Sequence, residues 1–256
     1  MSEHIHQLSA HGVLTLRMQR PDKKNALTRA MYQALAEALK QADEDREVRA
    51  IVLSGSDVCF TSGNDLNDFL LAPPSGLNSE VFAFMQALFE LRKPVVAAVC
   101  GAAVGIGTTL LLHCDLVYVS RDAQLKMPFV NLGLCPEYGS SLILPRLLGH
   151  AKASELLLLG QSFSGEQAAA WGIANEALAD GAATLAKAHE MALRFTRLAP
   201  SAVIDSKRLM RAPGREELRR VIEEEGALFG QRLRSPEAIE ALTAFMQRRE
   251  PDFSRF

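Results

Sequence analysis

A chain of 256 residues, 48% hydrophobic and 23% charged, is long enough to bury a full core and has an ordinary globular composition. Its formal net charge of -2 argues against the basic stripe of a nucleic-acid-binding module, and no nucleic-acid partner is expected. A small anionic ligand held by a local Lys/Arg cluster stays compatible with that balance.

The N-terminal M-S-E-H-I-H-Q has no basic segment followed by an apolar one, so no export signal is read. Val13 to Met18 reads as a strand, and Thr28 as the cap of a helix whose apolar stripe is Met31, Leu35, Ala38 and Leu39. Ala50 to Ser54 is a short apolar strand. Asn78 or Ser79 opens a helix running to Leu91, and Pro94 introduces a second apolar strand, V-V-A-A-V. Uninterrupted apolar strands are buried on both faces, which predicts an α/β core with a helix-covered sheet. Val95 to Leu112 is apolar but carries Gly101, Gly105 and Gly107, so a strand, turn and helix ending at His113 suits it better than a membrane span. No membrane association is expected.

Strand signals become scarce from Leu142 onward. Ser164 to Gln167 forms a capping box for a helix ending at Gly172, and Ala212-Pro213-Gly214 is a break. Beyond it Leu218, Val221, Ile222, Leu228 and Phe229 make a helical stripe. Ser235-Pro236-Glu237 starts a last helix with the face Ile239, Leu242, Phe245 and Met246. These signals divide the chain into a core over 1–197 and a helical region over 198–256, with no fixed-period repeat.

Cys59, Cys100, Cys114 and Cys135 form no C-x-x-C pair and lie in apolar or glycine-bearing surroundings, which predicts free buried thiols and a cytoplasmic protein. Cys135 reads as a packing residue rather than a nucleophile, for want of a basic partner. His113 has no second ligand at metal-binding spacing and reads as a core or helix-end histidine, so no metal site is expected. There is no G-x-S-x-G elbow for serine hydrolase chemistry.

Two glycine-bearing loops follow strands: F-T-S-G-N-D-L (60–66) and G-A-A-V-G-I-G-T-T (101–109). Backbone N–H groups at such positions have no helical partner, and two converging from separate loops would hold an oxyanion. Tight packing or a dinucleotide loop fits the glycines equally well. However, G-I-G-T-T-L lacks the third glycine of a dinucleotide fingerprint, and no Walker sequence occurs.

Taken in order, R-P-D-K-K-N-A-L (20–27), F-T-S-G-N-D-L, K-P-V-V-A-A-V-C-G-A-A-V-G-I-G (93–107), Cys114-Asp115 and P-F-V-N-L-G-L-C-P-E-Y-G (128–139) resemble the crotonase, or enoyl-CoA hydratase/isomerase, superfamily over almost the whole chain. The resemblance implies a spiral of β-β-α units with a C-terminal helical trimerisation region, assembled as a homotrimer or a dimer of trimers. It implies an acyl-CoA substrate, with the coenzyme A thioester as substrate rather than cofactor. The oxyanion donors it implies are the N–H groups of Ser62 and Ile106. The coenzyme A contacts it implies run along Ala26, Ser62, Gly63, Asn64, Asp65, Leu66 and Gly105. Lys23 and Lys24 read alone as a solvated turn; within this motif they are expected near the phosphates.

Hydratases of this superfamily carry two glutamates, at positions that are Thr109 and Phe129 here. Glu137, in C-P-E-Y-G, matches instead the single catalytic glutamate of the peroxisomal and yeast-type Δ3,Δ2-enoyl-CoA isomerases, which also carry S-G-N-D-L. Their P-E-G is P-E-Y in this chain, with the glycine one place later. Read alone, Glu137 is an acid at a helix start. With the resemblance it becomes the single base of an isomerase, in an apolar setting expected from Phe129, Val130, Leu132 and Leu134. The alternatives are a hydratase-related crotonase of other acyl specificity, or a catalytically silent acyl-CoA-binding scaffold.

Overall fold

The computed structural model describes residues 2–71 and 78–256, with backbone alone at 69–71. The chain begins with strands β1 (Ile5–Ala10) and β2 (Val13–Met18), helix α1 (Arg29–Glu44), and strands β3 (Ala50–Ser54) and β4 (Cys59–Thr61). Helices α2 (Leu66–Leu71) and α3 (Glu80–Glu90) precede β5 (Val95–Val99), β6 (Ala102–Val104) and the short α4 (Ile106–Thr109), which tightens into a 3-10 turn over Leu110–His113. Next come β7 (Leu116–Ser120), β8 (Gln124–Lys126), α5 (Ser140–Leu148), α6 (His150–Leu158), β9 (Phe163–Ser164), α7 (Gly165–Ala170) and β10 (Glu176–Leu178). Four helices end the chain: α8 (Gly181–Phe195), α9 (Pro200–Arg211), α10 (Arg215–Arg232) and α11 (Pro236–Gln247).

The strands form two sheets, ordered β1-β2-β3-β5-β7-β10 and β4-β6-β8-β9. Only β1 with β2 and β8 with β9 pair antiparallel. The pattern behind this is a repeated step. Each of β3, β5 and β7 runs in the large sheet, and the chain then turns into β4, β6 or β8 in the small one. The step recurs at residues 50, 95 and 116, with connections of very different length, so the sequence shows no fixed period although the structure repeats. Because β4 and β6 are parallel neighbours, with Cys59 opposite Ala102, the loops leaving their C-terminal ends lie side by side.

The expected caps are present. Thr28, Ser79 and Ser235 each accept a backbone N–H in the first turn of their helices, and Ser164 with Gln167 completes a capping box. β5, all apolar, and β3, apolar up to its final Ser54, are fully buried. One large cluster fills the space between sheets and helices, and a second packs α8 through Ala188 and Ala192 against the outer face of the large sheet.

Two expectations need correction. Of the stripe on α11 only Leu242 is buried; Ile239, Phe245 and Met246 are more than half exposed, because the helix seats its small residues Ala238, Ala241 and Ala244 inward. Of the four cysteines, all free, only Cys100 is fully buried. Helix α9 is held to the core by charge, while α10 and α11 add Ile222 and Ala238 to the apolar cluster. On α9, Lys207 donates to Asp115 at 2.6 Å and to the Lys93 carbonyl, and Arg211 donates to Asp115 and the His113 carbonyl.

Candidate active site

The turn over residues 20–27 is stitched to β4 and its loop by a chain of hydrogen bonds. Asn25, buried with φ 55°, donates to the carbonyls of Cys59 and Phe60, and its own carbonyl accepts from Thr61 Oγ1 at 2.6 Å. Leu27 N–H donates to Gly63 O, and Asp65 N–H to Leu27 O. Gly63 is required here. Its φ is 91°, and a Cβ would stand 2.7 Å from the Val104 carbonyl of the neighbouring loop.

That stitching decides which N–H groups are free. Ser62 N–H donates to the Lys24 carbonyl at 3.0 Å, so it is spent on the fold and cannot serve as the expected oxyanion donor. In the parallel bridge between Leu27 and Asn64, Leu27 donates to Gly63 O and accepts from Asp65 N–H, so Asn64's own N–H points away and has no acceptor among the described residues. In the other loop, Gly105 N–H donates to Lys126 O, while the N–H of Ile106, first residue of α4, has no acceptor among the described residues. The free pair is therefore Asn64 and Ile106.

Glu137, expected at a helix start, lies in the turn two residues before the cap; Gly139 caps α5 and Ser140 begins it. Its side chain is buried. Thr109 Oγ1 donates to Oε1, whereas Oε2 has no hydrogen-bond partner among the described residues. Burial pushes its pKa up to about 8, opposed by the Thr109 hydrogen bond and reinforced by the charge of Glu225. Glu137 and Asn64 line one cavity of about 50 Å³. Its apolar wall comes from Val81, Phe82 and Met85 of α3 and from Ile222 and Phe229 of α10. The residues expected to form the wall, Phe129, Val130, Leu132 and Leu134, do not line it: Val130 is exposed, and Phe129 packs edge-on behind the lining residue Phe229.

The remaining predicted residues lie outside the lining of this cavity. Asp65 accepts the N–H groups of Asn67 and Asp68 at the start of α2 and pairs with Arg20 at 2.6 Å. Leu66 begins α2. Ala26 uses its N–H on Lys23 O and its carbonyl on Arg20. Lys23 and Lys24 are exposed and make no ion pair among the described residues. His113 is a buried core histidine, as read from sequence. Its pKa is pushed down to about 3 by burial, and its Nε2 lies 2.7 Å from the Tyr138 carbonyl.

Three residues important to the arrangement escaped the sequence reading. Tyr32 donates from α1 to Asn64 Oδ1. Tyr138, with φ 58°, stacks on His113 and donates to the Met85 carbonyl at 2.7 Å, which fixes the Glu137 turn against α3. Glu225 of α10 accepts from Gly139 and Ser141 N–H. Each joins distant segments, so no local spacing carries the signal. A buried, half-unsatisfied carboxyl beside free N–H groups is suited to moving a proton at a carbon next to a carbonyl.

A family model described as "Enoyl-CoA hydratase/isomerase" matches residues 9–255. The chain belongs to the enoyl-CoA hydratase/isomerase family. Its fold is the crotonase fold, and a structure titled "Structure of Pseudomonas aeruginosa OdaA" is similar to it at 68% identity with a TM-score of 0.95, covering 96% of this chain and 100% of that one. The chain is 40% identical to 1,2-epoxyphenylacetyl-CoA isomerase of Escherichia coli K12 over 199 residues, 73% of this chain and 76% of that protein. It is 36% identical to human enoyl-CoA delta isomerase 2 over 94% of its own length, and spans 62% of that longer protein. Relatives at 30–34% identity bear hydratase names, so membership defines an enzyme family that includes both reactions. Among the described residues no helix is long and apolar enough to cross a membrane.

Proposed function

We propose that this protein is a Δ3,Δ2-enoyl-CoA isomerase in which Glu137 is the single base and acid. Glu137 Oε2 removes a proton from C2 of a 3-enoyl-CoA, and the C2 electrons conjugate with the double bond as a dienolate. The N–H groups of Asn64 and Ile106 hold the thioester oxygen, each donor worth about 2.7–4 kcal/mol in the transition state. The proton on Glu137 then returns at C4, and the double bond is left between C2 and C3. No water is added, and the base ends as it began.

The observation that carries this reading is the state of Glu137. One oxygen is held by Thr109, and the other is buried, partnerless and faces an apolar cavity. A hydratase needs a second acid to handle water, and the two positions expected for one hold Thr109 and Phe129. A pKa near 8 suits a group that must both take and return a proton at neutral pH. The coenzyme A moiety is assigned to the turn and loops at Ala26, Gly63, Asp65, Leu66 and Gly105, with the free ammonium groups of Lys23 and Lys24 toward its phosphates. The exposed apolar side chains of α11 support assembly as a homotrimer or a dimer of trimers.

The test is to supply 3-enoyl-CoA and 2-enoyl-CoA and follow 2-enoyl thioester absorbance. Isomerisation that falls by about 10²–10⁴-fold in Glu137→Gln, with coenzyme A binding kept, is expected. Equal activity in that variant, or hydration faster than isomerisation in the native enzyme, would overturn the assignment. Binding without turnover of either thioester would leave a scaffold in its place.

A further inference from the structure

Helix α10 contains two glycines, Gly226 and Gly230, four residues apart in the run E-E-E-G-A-L-F-G-Q-R. Glycine weakens a helix interior relative to alanine, so its presence twice on one face calls for a reason. Two reasons are usual, and neither holds here. Neither residue has a positive φ, so no unusual backbone conformation demands it. Neither sits under a close approach. Among the described residues, a Cβ at Gly226 would find Phe82 as its nearest neighbour at 3.9 Å, and one at Gly230 would find nothing within 4 Å. By contrast, a Cβ at Gly133 would stand 2.7 Å from Ala238 N, the ordinary mark of tight packing.

What remains is empty space, and it lies beside the base. Both glycines share the helix face of Ile222 and Phe229 and line the same cavity as Glu137 and Asn64. A second small cavity, about 30 Å³, continues the gap between α3 and α10 past Phe82 and Ile222. The two helices are thus incompletely packed along the line leading away from Glu137. Helical rise separates the two glycines by about 6 Å along that line, the span of several methylenes. Among the described residues no cationic side chain lines the Glu137 cavity; Arg219 lines the second one but is paired with Glu90 at 2.7 Å, and the buried Glu225 stands next in sequence to Gly226.

We infer that Gly226 and Gly230 form the side-chain-free floor of an acyl groove between α3 and α10, which selects apolar chains extending well beyond C4 and rejects chains ending in a carboxylate. This rests on the assignment of the Glu137 cavity as the acyl site. An apolar tail gains from leaving water along the groove, about two- to fourfold in affinity per methylene buried. A terminal carboxylate would enter it with no unpaired cation to meet, since Arg219 is held by Glu90.

Saturated acyl-CoAs read the groove without any chemistry, which separates this inference from the isomerase assignment. The full-length protein and its Gly226→Ala and Gly230→Leu variants would be titrated with butyryl-CoA, decanoyl-CoA and the ω-carboxylated analogue of decanoyl-CoA. The native protein should prefer decanoyl over butyryl, and decanoyl over its ω-carboxylated analogue, by at least tenfold each. Each variant should cut the decanoyl-to-butyryl preference at least tenfold while melting no lower than native, since both replacements are better helix formers. An unchanged preference in the folded variants overturns the inference, as does a native protein indifferent to chain length or to the ω-carboxylate. A variant that melts lower is set aside and the other decides. Selective decanoyl binding in a protein that isomerises nothing would leave the groove standing and remove the isomerase assignment alone.

Discussion

The hydroxyl of Thr109 donates to one carboxyl oxygen of Glu137, and the second oxygen, equally buried, has no partner among the described residues. Thr109, where the resemblance leads one to expect a hydratase acid, thus orients the Glu137 carboxyl instead. Thr109→Val deletes this hydrogen bond, which favours the ionised carboxylate, so the Glu137 pKa should move above about 8. The rising limb of kcat/KM against pH should move up with it, and Thr109→Ser should restore it. Leaving Oε1 unsatisfied should also cost about 1–3 kcal/mol in urea unfolding.

Glu137 should also make the protein less stable as pH rises. Its folded pKa, about 8, lies above the ordinary carboxylate value of 4.5, chiefly because of burial. The folded state therefore holds the proton that the unfolded chain has released. The stabilisation from the protonated form is complete below about 4.5 and is lost as pH climbs to about 8, by at most about 5 kcal/mol. Glu137→Gln keeps a neutral side chain throughout. It should melt higher than the native protein at pH 8, with the difference shrinking toward pH 5. Parallel melting curves across that range would show that Glu137 is not a buried neutral acid.

Much of the framework was legible because its causes are local. The caps at Thr28, Ser79, Ser164 and Ser235 act within one turn of their helices, and β3 and β5 are buried on both faces and so are apolar but for Ser54. β1 was not legible, since along this edge strand only Ile5 is buried. The three-residue strands β4, β6 and β8 are too short to show a period, and α5 carries Pro145 within it. Glu137 could be singled out from its motif. The free N–H proposed as oxyanion donor in the first loop could not, because the choice between Ser62 and Asn64 depends on which N–H the Lys24 carbonyl consumes. That is a long-range pairing between the 20–27 turn and β4.

The turn and loop that would carry coenzyme A depend on Arg20. Its guanidinium reaches both Asp65 Oδ2, at 2.6 Å, and the Ala26 carbonyl, at 3.0 Å, and thereby ties the two segments together. Burial raises the Asp65 pKa, but the Arg20 hydrogen bond and backbone N–H donors more than offset this and hold it below its usual value. Arg20→Ala would leave that carboxylate largely buried without its cation. We expect a loss of about 3 kcal/mol in denaturant unfolding and a rise of about tenfold in KM for acyl-CoA, with kcat less affected. A fall in kcat at unchanged KM would place Arg20 in a different role.

Glu225 connects the C-terminal helices to the base. From α10 its carboxylate accepts the N–H groups of Gly139 and Ser141, the two that flank the start of α5 directly after Glu137 and Tyr138. Burial raises the Glu225 pKa, but these donors favour its ionised form, and its charge in turn raises the pKa of Glu137. Glu225→Gln removes the charge and leaves one oxygen for two donors, at a stability cost of about 1–3 kcal/mol. With the negative neighbour gone, Glu137 should ionise more readily, and the midpoint of the kcat/KM limb should fall below about 8. The direction is opposite to that expected for Thr109→Val, so the two variants check each other. A loss of kcat at every pH with the midpoint in place would mean that Glu225 supports the turn mechanically and does not act on the proton affinity of the base.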